Sequence, residues 1–168
     1  KEAFMDPVHF TGREILEVAL RIEENGVKFY TDASKAFKNA NIIKIFQDLA
    51  QEEASHIKVF REFIRLVPES GPYGEYTPYM EEASDYLNAL AGSEVFTRPE
   101  EGAKLPLTVR SEKDAIDYAI RMEKESLLFY LEMKNMIREK DKAVIDNLIE
   151  QEKNHLSQLT AIKNEFFR

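Results

Sequence analysis

The chain has 168 residues, of which 43% are hydrophobic, and this suits one compact domain with a core of its own rather than a disordered segment. The formal charge of −8 argues against a nucleic-acid partner, which would require a basic face. The absence of cysteine excludes disulfides, thiol catalysis and iron–sulfur ligation within this chain.

Membrane and targeting signals are not evident in the sequence. No apolar run approaches the roughly 20 residues that are needed to span a bilayer, so we expect no membrane partner. The first ten residues, KEAFMDPVHF, lack the basic-then-apolar order of a signal peptide. A cytoplasmic location is therefore the default expectation.

Apolar residues recur at helical spacing in four long segments. The predicted helices cover residues 12–38, 41–66, 111–138 and 141–167. Thr11 and Glu14 have the spacing of a capping box, as do Ser111 and Asp114 at the start of the third helix. The breaks within each pair of helices are short, so the sequence predicts two antiparallel hairpins.

Residues 67–110 separate the two hairpins and have a different composition. The stretches PESGPYGEYTP and TRPEEGAKLPL are typical of loops, and YMEEASDYLNALA between them predicts a short amphipathic helix. Two separate two-helix domains are the alternative, but neither hairpin alone could bury its apolar face. The sequence therefore predicts a single all-α domain over 1–168, an antiparallel four-helix bundle whose hairpins are joined by a long crossover with a short extra helix.

The two hairpins also resemble each other. ALRIEENGVKFY at 19–30 aligns with AIRMEKESLLFY at 119–130, and IFQDLAQEEASH at 45–56 aligns with VIDNLIEQEKNH at 144–155. The offset is about 100 residues in both alignments. This pattern indicates an internal duplication, or selection for two equivalent half-sites.

Glutamate and histidine interrupt the apolar stripe of each helix near its middle. The second and fourth helices carry Glu-x-x-His, and the first and third each carry one glutamate. Because mid-helix residues of an antiparallel bundle meet at one height, we expect six side chains to converge in the core: Glu23, Glu53, His56, Glu123, Glu152 and His155.

A lone glutamate in a helix is usually solvated, and a lone Glu-x-x-His is common by chance. Exposure on the surface is the structural alternative, and the apolar neighbours argue against it. Four unpaired buried carboxylates would unfold the bundle or be forced neutral by raised pKa values, so we predict bound metal. Two divalent ions would balance four carboxylates. Oxygen and nitrogen ligands without sulfur favour iron or manganese over copper(I), and zinc stays open.

Other polar side chains lie beside this set. Tyr30 and Tyr130 follow Glu23 and Glu123 by seven residues, two turns along the same face. They either hydrogen-bond the metal ligands or pack in the core with hydroxyls that reach water. Glu52 adjoins a motif, and we expect it on a solvated helix face.

With these motifs and the crossover, the chain resembles the ferritin-like superfamily and specifically its rubrerythrin-type diiron-carboxylate domains. The resemblance implies two irons bridged by Glu53 and Glu152. It makes Glu23 and His56 the terminal ligands of one ion, and Glu123 and His155 those of the other.

Two departures from the rubrerythrin pattern matter. Rubrerythrins usually carry a further glutamate one turn beyond the third-helix ligand, and here that position is Ser126, so redox-linked ligand exchange is not expected. They also usually carry a rubredoxin domain with four cysteines, and this chain has none. The electron donor would be a separate protein such as a rubredoxin.

The resemblance implies a diiron oxidoreductase of peroxidase or ferroxidase type, in which reduced metal reacts with peroxide or dioxygen and an external donor restores it. Iron sequestration with ferroxidase activity is the alternative, and a bundle that holds metal only for stability is a third possibility. Ferritin cages usually need a short fifth helix, which is not predicted here. We therefore expect a homodimer rather than a cage.

Overall fold

The computed structural model describes residues 12–67, 105 and 108–167. These residues form four helices: α1 (Gly12–Ala36), α2 (Ala40–Leu66), α3 (Glu112–Met136) and α4 (Lys142–Phe166), with one 3₁₀ turn at Glu139–Asp141. No strand occurs within the described ranges. The predicted all-α class and four long helices are confirmed.

The helices α1 and α3 each end two residues before their predicted ends. Asn39 lies in extended backbone, and its side chain accepts hydrogen bonds from the amides of Asn41 and Ile42, so it caps α2. Ile137 is also extended, with φ −97° and ψ 163°, and this conformation terminates α3. The apolar spacing continues one residue past each helix end, to Phe37 and Ile137, which is why the sequence alone extended the helices.

The predicted cap of α3 is confirmed, since the Ser111 hydroxyl accepts a hydrogen bond of 3.1 Å from the amide of Asp114. The Asp114 carboxylate accepts from the amide of Arg110. Thr11, and with it the predicted capping box of α1, lies outside the described residues. The same is true of the predicted short helix in the crossover.

The helices pack as two hairpins, α1 with α2 and α3 with α4, and the hairpins meet along α1–α3 and α2–α4. At the start of α3, the Glu112 carboxylate accepts hydrogen bonds from the amides of Lys38 and Asn39, just beyond the end of α1. Val67, just beyond α2, instead packs in the cluster at the far end of the bundle. The connection from α2 to α3 therefore joins opposite ends of the bundle, which confirms the predicted crossover.

Two apolar clusters fill the bundle, one toward each end. One contains Leu16, Phe60, Phe129 and Ile145, among others. The other contains Phe29, Phe46, Leu49 and Ile116, among others. Between the clusters, the helices bring a layer of ionisable side chains into the core. Within the described ranges, none of the helices contains the uninterrupted apolar stretch that spanning a bilayer requires.

Candidate metal centre

All six side chains that the sequence placed on the inner stripes are buried. Their relative exposures are 2% for Glu23, 4% for Glu53, 1% for His56, 2% for Glu123, 1% for Glu152 and 0% for His155. α1 and α3 each supply one glutamate, and α2 and α4 each supply a glutamate and a histidine one turn apart. The alternative that these residues lie on solvated faces is therefore wrong.

The six residues form two groups of possible ligands that share Glu53 and Glu152. Within each group, one donor atom per residue lies within 4.8 Å of the others. One group is completed by Glu23 and His56, and the other by Glu123 and His155. This is the grouping that the resemblance implied, with two central carboxylates and one terminal pair on each side. The roles of these residues as ligands stay a prediction.

The two imidazole rings turn the same nitrogen toward the carboxylates. Nδ1 of His56 lies 3.0 Å from both Glu53 Oε2 and Glu152 Oε1. Nδ1 of His155 lies 3.3 Å from Glu53 Oε1 and from Glu152 Oε2. When the outward Nε2 carries the proton, the lone pair of Nδ1 points into the group and is available to a metal.

Each outward Nε2 has an acceptor on the facing helix. His56 Nε2 lies 3.2 Å from the amide oxygen of Gln151, and His155 Nε2 lies 2.8 Å from a carboxylate oxygen of Glu52. Sequence reasoning missed both acceptors; it predicted a solvated position for Glu52, and that side chain is half-exposed but also accepts from His155. A signal was available, because Glu52 and Gln151 occupy equivalent positions of the internal repeat, each directly before a motif glutamate.

Tyr30 and Tyr130 form hydrogen bonds between the two hairpins. The Tyr30 hydroxyl donates a hydrogen bond to Glu123 Oε1, and the Tyr130 hydroxyl donates one to Glu23 Oε1. Both tyrosines are fully buried. Of the two interpretations of the sequence, hydrogen bonding to the carboxylates is confirmed and hydroxyls that reach water are not observed. Each hydroxyl occupies one oxygen of a terminal glutamate and leaves the other turned to the site.

Several buried atoms in this layer lie close to groups of opposite charge but make no well-aligned hydrogen bond with the described residues. They are Glu123 Oε2, Glu152 Oε1 and His155 Nδ1. An unsatisfied buried polar atom costs about 1–3 kcal/mol, so such atoms call for an explanation. All three are potential metal ligands in the two groups, and carboxylate oxygen with imidazole nitrogen suits iron, manganese or zinc. The donor set therefore fits a pair of metal ions.

The terminal carboxylates hold their protons strongly when no metal is bound. Burial raises the pKa of Glu23 well above its ordinary value, and the charge of Glu53 adds to the rise. Burial likewise raises the pKa of Glu123, with the charge of Glu152 as the next cause. Burial and the facing carboxylates raise the pKa values of Tyr30 and Tyr130 as well, so both remain hydroxyl donors.

The pKa values of the two central carboxylates, Glu53 and Glu152, shift in the opposite direction. Burial acts to raise the pKa of Glu53, but hydrogen bonds from Glu23, His155 and His56 outweigh it and the net pKa is lowered. Burial and the charge of Glu53 act to raise the pKa of Glu152, but its close contacts with His155, His56 and Glu123 outweigh them and the net pKa is lowered. The expectation that all four carboxylate pKa values rise is therefore wrong for this pair.

The surrounding carboxylates have the converse effect on the pKa values of the two histidines. Burial acts to lower the pKa of His56 and of His155, yet the surrounding carboxylates raise both strongly. The metal-free layer thus balances two imidazolium ions against Glu53 and Glu152. Two divalent ions balanced by four carboxylates would be neutral as well, so metal can replace protons without leaving net charge in the core.

A buried layer of four glutamates and two histidines, supplied by four antiparallel helices with a crossover between hairpins, defines a ferritin-like bundle with a dinuclear carboxylate metal site. Comparison with known proteins agrees with this class. The model of the Rubrerythrin family matches residues 14–163. The chain belongs to the Rubrerythrin family.

A solved structure from Thermotoga maritima, described as that of a ferritin-like diiron-carboxylate protein, is similar to this chain. The two sequences are 30% identical, and the TM-score is 0.64. The match covers 94% of this chain and 97% of that one. No curated protein matches the chain.

Proposed function

We propose that the protein is a diiron oxidoreductase that reduces peroxide or dioxygen with electrons from an external donor. The observation that carries the proposal is the way in which each terminal glutamate is held. Tyr130 occupies one oxygen of Glu23 and Tyr30 occupies one oxygen of Glu123. Each terminal carboxylate therefore offers its remaining oxygen to one ion.

Counting ligand atoms then supports a reactive site rather than a closed structural one. Each group contains a terminal glutamate, both shared glutamates and a histidine, and one atom from each would give an ion four protein ligands. Iron accepts more ligands than four, so positions would remain for a small molecule. A purely structural site would be expected to fill the coordination shell with protein atoms.

Iron is the metal that we propose for these positions. The ligands are carboxylates and imidazoles, and the chain contains no cysteine that would favour a softer metal. Two bound ferrous ions would supply one electron each, which are the two electrons that convert one peroxide and two protons into two waters.

The residues of the chain would bind the two ions and exclude bulk water from them. Glu53 and Glu152 would join the two ions, and His56 and His155 would each bind one ion through Nδ1. Apolar clusters close the layer toward both ends of the bundle, and no ligand candidate is more than 4% exposed. Exclusion of bulk water strengthens the electrostatic interactions within the site and limits side reactions.

These 168 residues contain no cysteine that could hold an iron–sulfur centre, and we assign the return of electrons to an external donor. A rubredoxin is the kind of donor that we propose.

The test combines metal counting with rapid kinetics. Protein loaded anaerobically with Fe²⁺ should bind two ions per chain. Mixing with peroxide or dioxygen should then oxidise both ions in one rapid phase. Reduced rubredoxin should then sustain turnover. Uptake of many ions per chain, without donor-dependent turnover, would favour sequestration instead. Glu53→Ala should abolish the reaction, whereas the exposed Glu150→Gln should leave it unchanged.

A further inference from the structure

The two halves of the metal layer differ in the acceptor that lies behind each histidine. The acceptor of His155 is a carboxylate oxygen of Glu52, and that of His56 is an amide oxygen of Gln151. Both acceptors are on the facing helix, and both directly precede a motif glutamate. The residues that bind metal are otherwise matched in type between the halves.

The geometry fixes the direction of these hydrogen bonds. The Gln151 side-chain amide donates from Nε2 to the carbonyl oxygen of Asn147, which leaves its oxygen to accept from His56. A carboxylate can only accept, so Glu52 likewise accepts a hydrogen bond from the Nε2–H of His155. Both histidines therefore present Nδ1 to the metal as the unprotonated nitrogen.

The two acceptors do not act equally on their rings. The contact to Glu52 is 2.8 Å and involves a negative charge, whereas the contact to Gln151 is 3.2 Å and neutral. Hydrogen bonds to a charged acceptor are shorter and stronger than neutral ones. A carboxylate behind an imidazole makes the metal-binding nitrogen a better donor and fixes the ring. The half-exposed position of Glu52 reduces this effect without removing it.

We propose that Glu52 is a positioning residue that makes the half-site of Glu123 and His155 the tighter of the two, so that the first metal ion binds there. This inference rests on the metal binding proposed above and adds an order of loading to it. The half-site of Glu23 and His56 then binds the second ion more weakly.

The repeat provides a charge-conserving test. Glu52→Gln places an amide behind both histidines and should equalise the half-sites. The double variant Glu52→Gln with Gln151→Glu exchanges the two acceptors at constant net charge. It should move the preferred position from His155 to His56.

Glu150→Gln is the matched control. Glu150 is two residues from the ligand candidate Glu152, but it is mostly exposed and pairs with Lys153. Its substitution removes the same charge as Glu52→Gln without changing the acceptor of either histidine. The loading order should therefore remain that of the unmodified protein.

The experiment uses Co²⁺ alone as the probe. Crystals of protein with one equivalent of Co²⁺ give the occupancy of each position from anomalous scattering at the cobalt edge, and calorimetry gives the two dissociation constants. We expect higher occupancy beside His155. Loss of a partner of this kind typically weakens metal binding by about 10- to 100-fold, so Glu52→Gln should weaken the tighter site by that order.

Two results would overturn the inference, and they are distinguishable. The first is equal occupancy of the two positions at one equivalent of Co²⁺, with both filled at two equivalents, or a preference that the acceptor exchange does not reverse. Either outcome would exclude the role of Glu52 and leave the proposed function intact. Failure of the unmodified protein to bind Co²⁺ at two equivalents would exclude both.

Discussion

Tyr30 on α1 donates a hydrogen bond to Glu123 on α3, and Tyr130 on α3 donates an equivalent one to Glu23 on α1. The terminal carboxylate of each hairpin is thus held by the hairpin opposite. The two hairpins are joined by polar contacts at the level of the metal layer as well as by apolar packing above and below it.

Tyr30→Phe should lower the free energy of unfolding of the metal-free protein by about 1–3 kcal/mol, because Glu123 Oε1 is buried and loses its donor. Chemical denaturation measures the change. A double-mutant cycle with Glu123→Ala isolates the contact, because alanine removes the acceptor. A coupling energy near zero would show that the hydroxyl does not support the carboxylate.

Removal of a shared glutamate should affect both metal ions. Glu53 and Glu152 belong to both groups of possible ligands, so Glu53→Ala or Glu152→Ala should prevent binding of the pair. His56 belongs to only one group, and His56→Ala should weaken mainly one ion. Metal analysis and titration with Co²⁺ distinguish these results. Loss of both ions to the same degree in every variant would contradict the shared role.

Sequence alone found the six core residues because their signal is local. Glu-x-x-His sets Glu53 and His56 one turn apart, and the apolar stripe shows which way that turn faces. The contacts between His155 and Glu52 depend instead on the register of α4 against α2, which no single helix encodes. Periodicity therefore found the ligand candidates but not the acceptors behind them.

The same distinction between local and three-dimensional information explains why the predicted rise in carboxylate pKa was wrong for Glu53 and Glu152. A count of buried carboxylates predicts that all of them are neutralised, but the outcome depends on the hydrogen bonds and charges that surround each carboxylate. Glu53 lies within hydrogen-bonding range of His56, and its pKa is lowered. For Glu123, burial and the charge of Glu152 outweigh the contact with His155. Only the three-dimensional arrangement separates the two cases.

Gly26 leaves room for a shared carboxylate. A Cβ built at this position would lie 3.3 Å from Glu53 Cγ and 3.5 Å from its Cδ. Gly26→Ala should favour the helix by about 0.5–1 kcal/mol while displacing Glu53 by a few tenths of an ångström. We therefore expect metal-free stability to be maintained or increased and metal affinity to fall.

The control for this variant is Ser126→Ala, at the equivalent position of the repeat. The Ser126 hydroxyl donates to the carbonyl of Met122 on its own helix, so its removal adds no atom beside the shared carboxylates. Calorimetric titration with Co²⁺ and denaturation curves give the two quantities for each variant. An unchanged affinity in Gly26→Ala would show that Glu53 adjusts without consequence.

The pH dependence of the metal-free protein follows from the direction of each pKa shift. The raised pKa values of Glu23 and Glu123 contribute stability that is complete below the ordinary value of 4.5 and is lost as pH rises through the raised values. The raised pKa values of the histidines contribute stability that is complete below 6.5 and is lost at higher pH. The lowered pKa of Glu53 contributes stability above 4.5 that is lost in acid.

These directions together predict that the metal-free protein is most stable near about pH 5 and becomes less stable toward pH 8. Metal replaces the protons of the layer, so its stabilising effect should grow over the same interval. A free metal concentration about 100 times the dissociation constant adds about 2.7 kcal/mol per site, which corresponds to about 5–10 °C in Tm. Thermal melts of chelated and Co²⁺-loaded protein across this range measure the difference. Superimposable melts at every pH would mean that metal binding is not coupled to these six side chains.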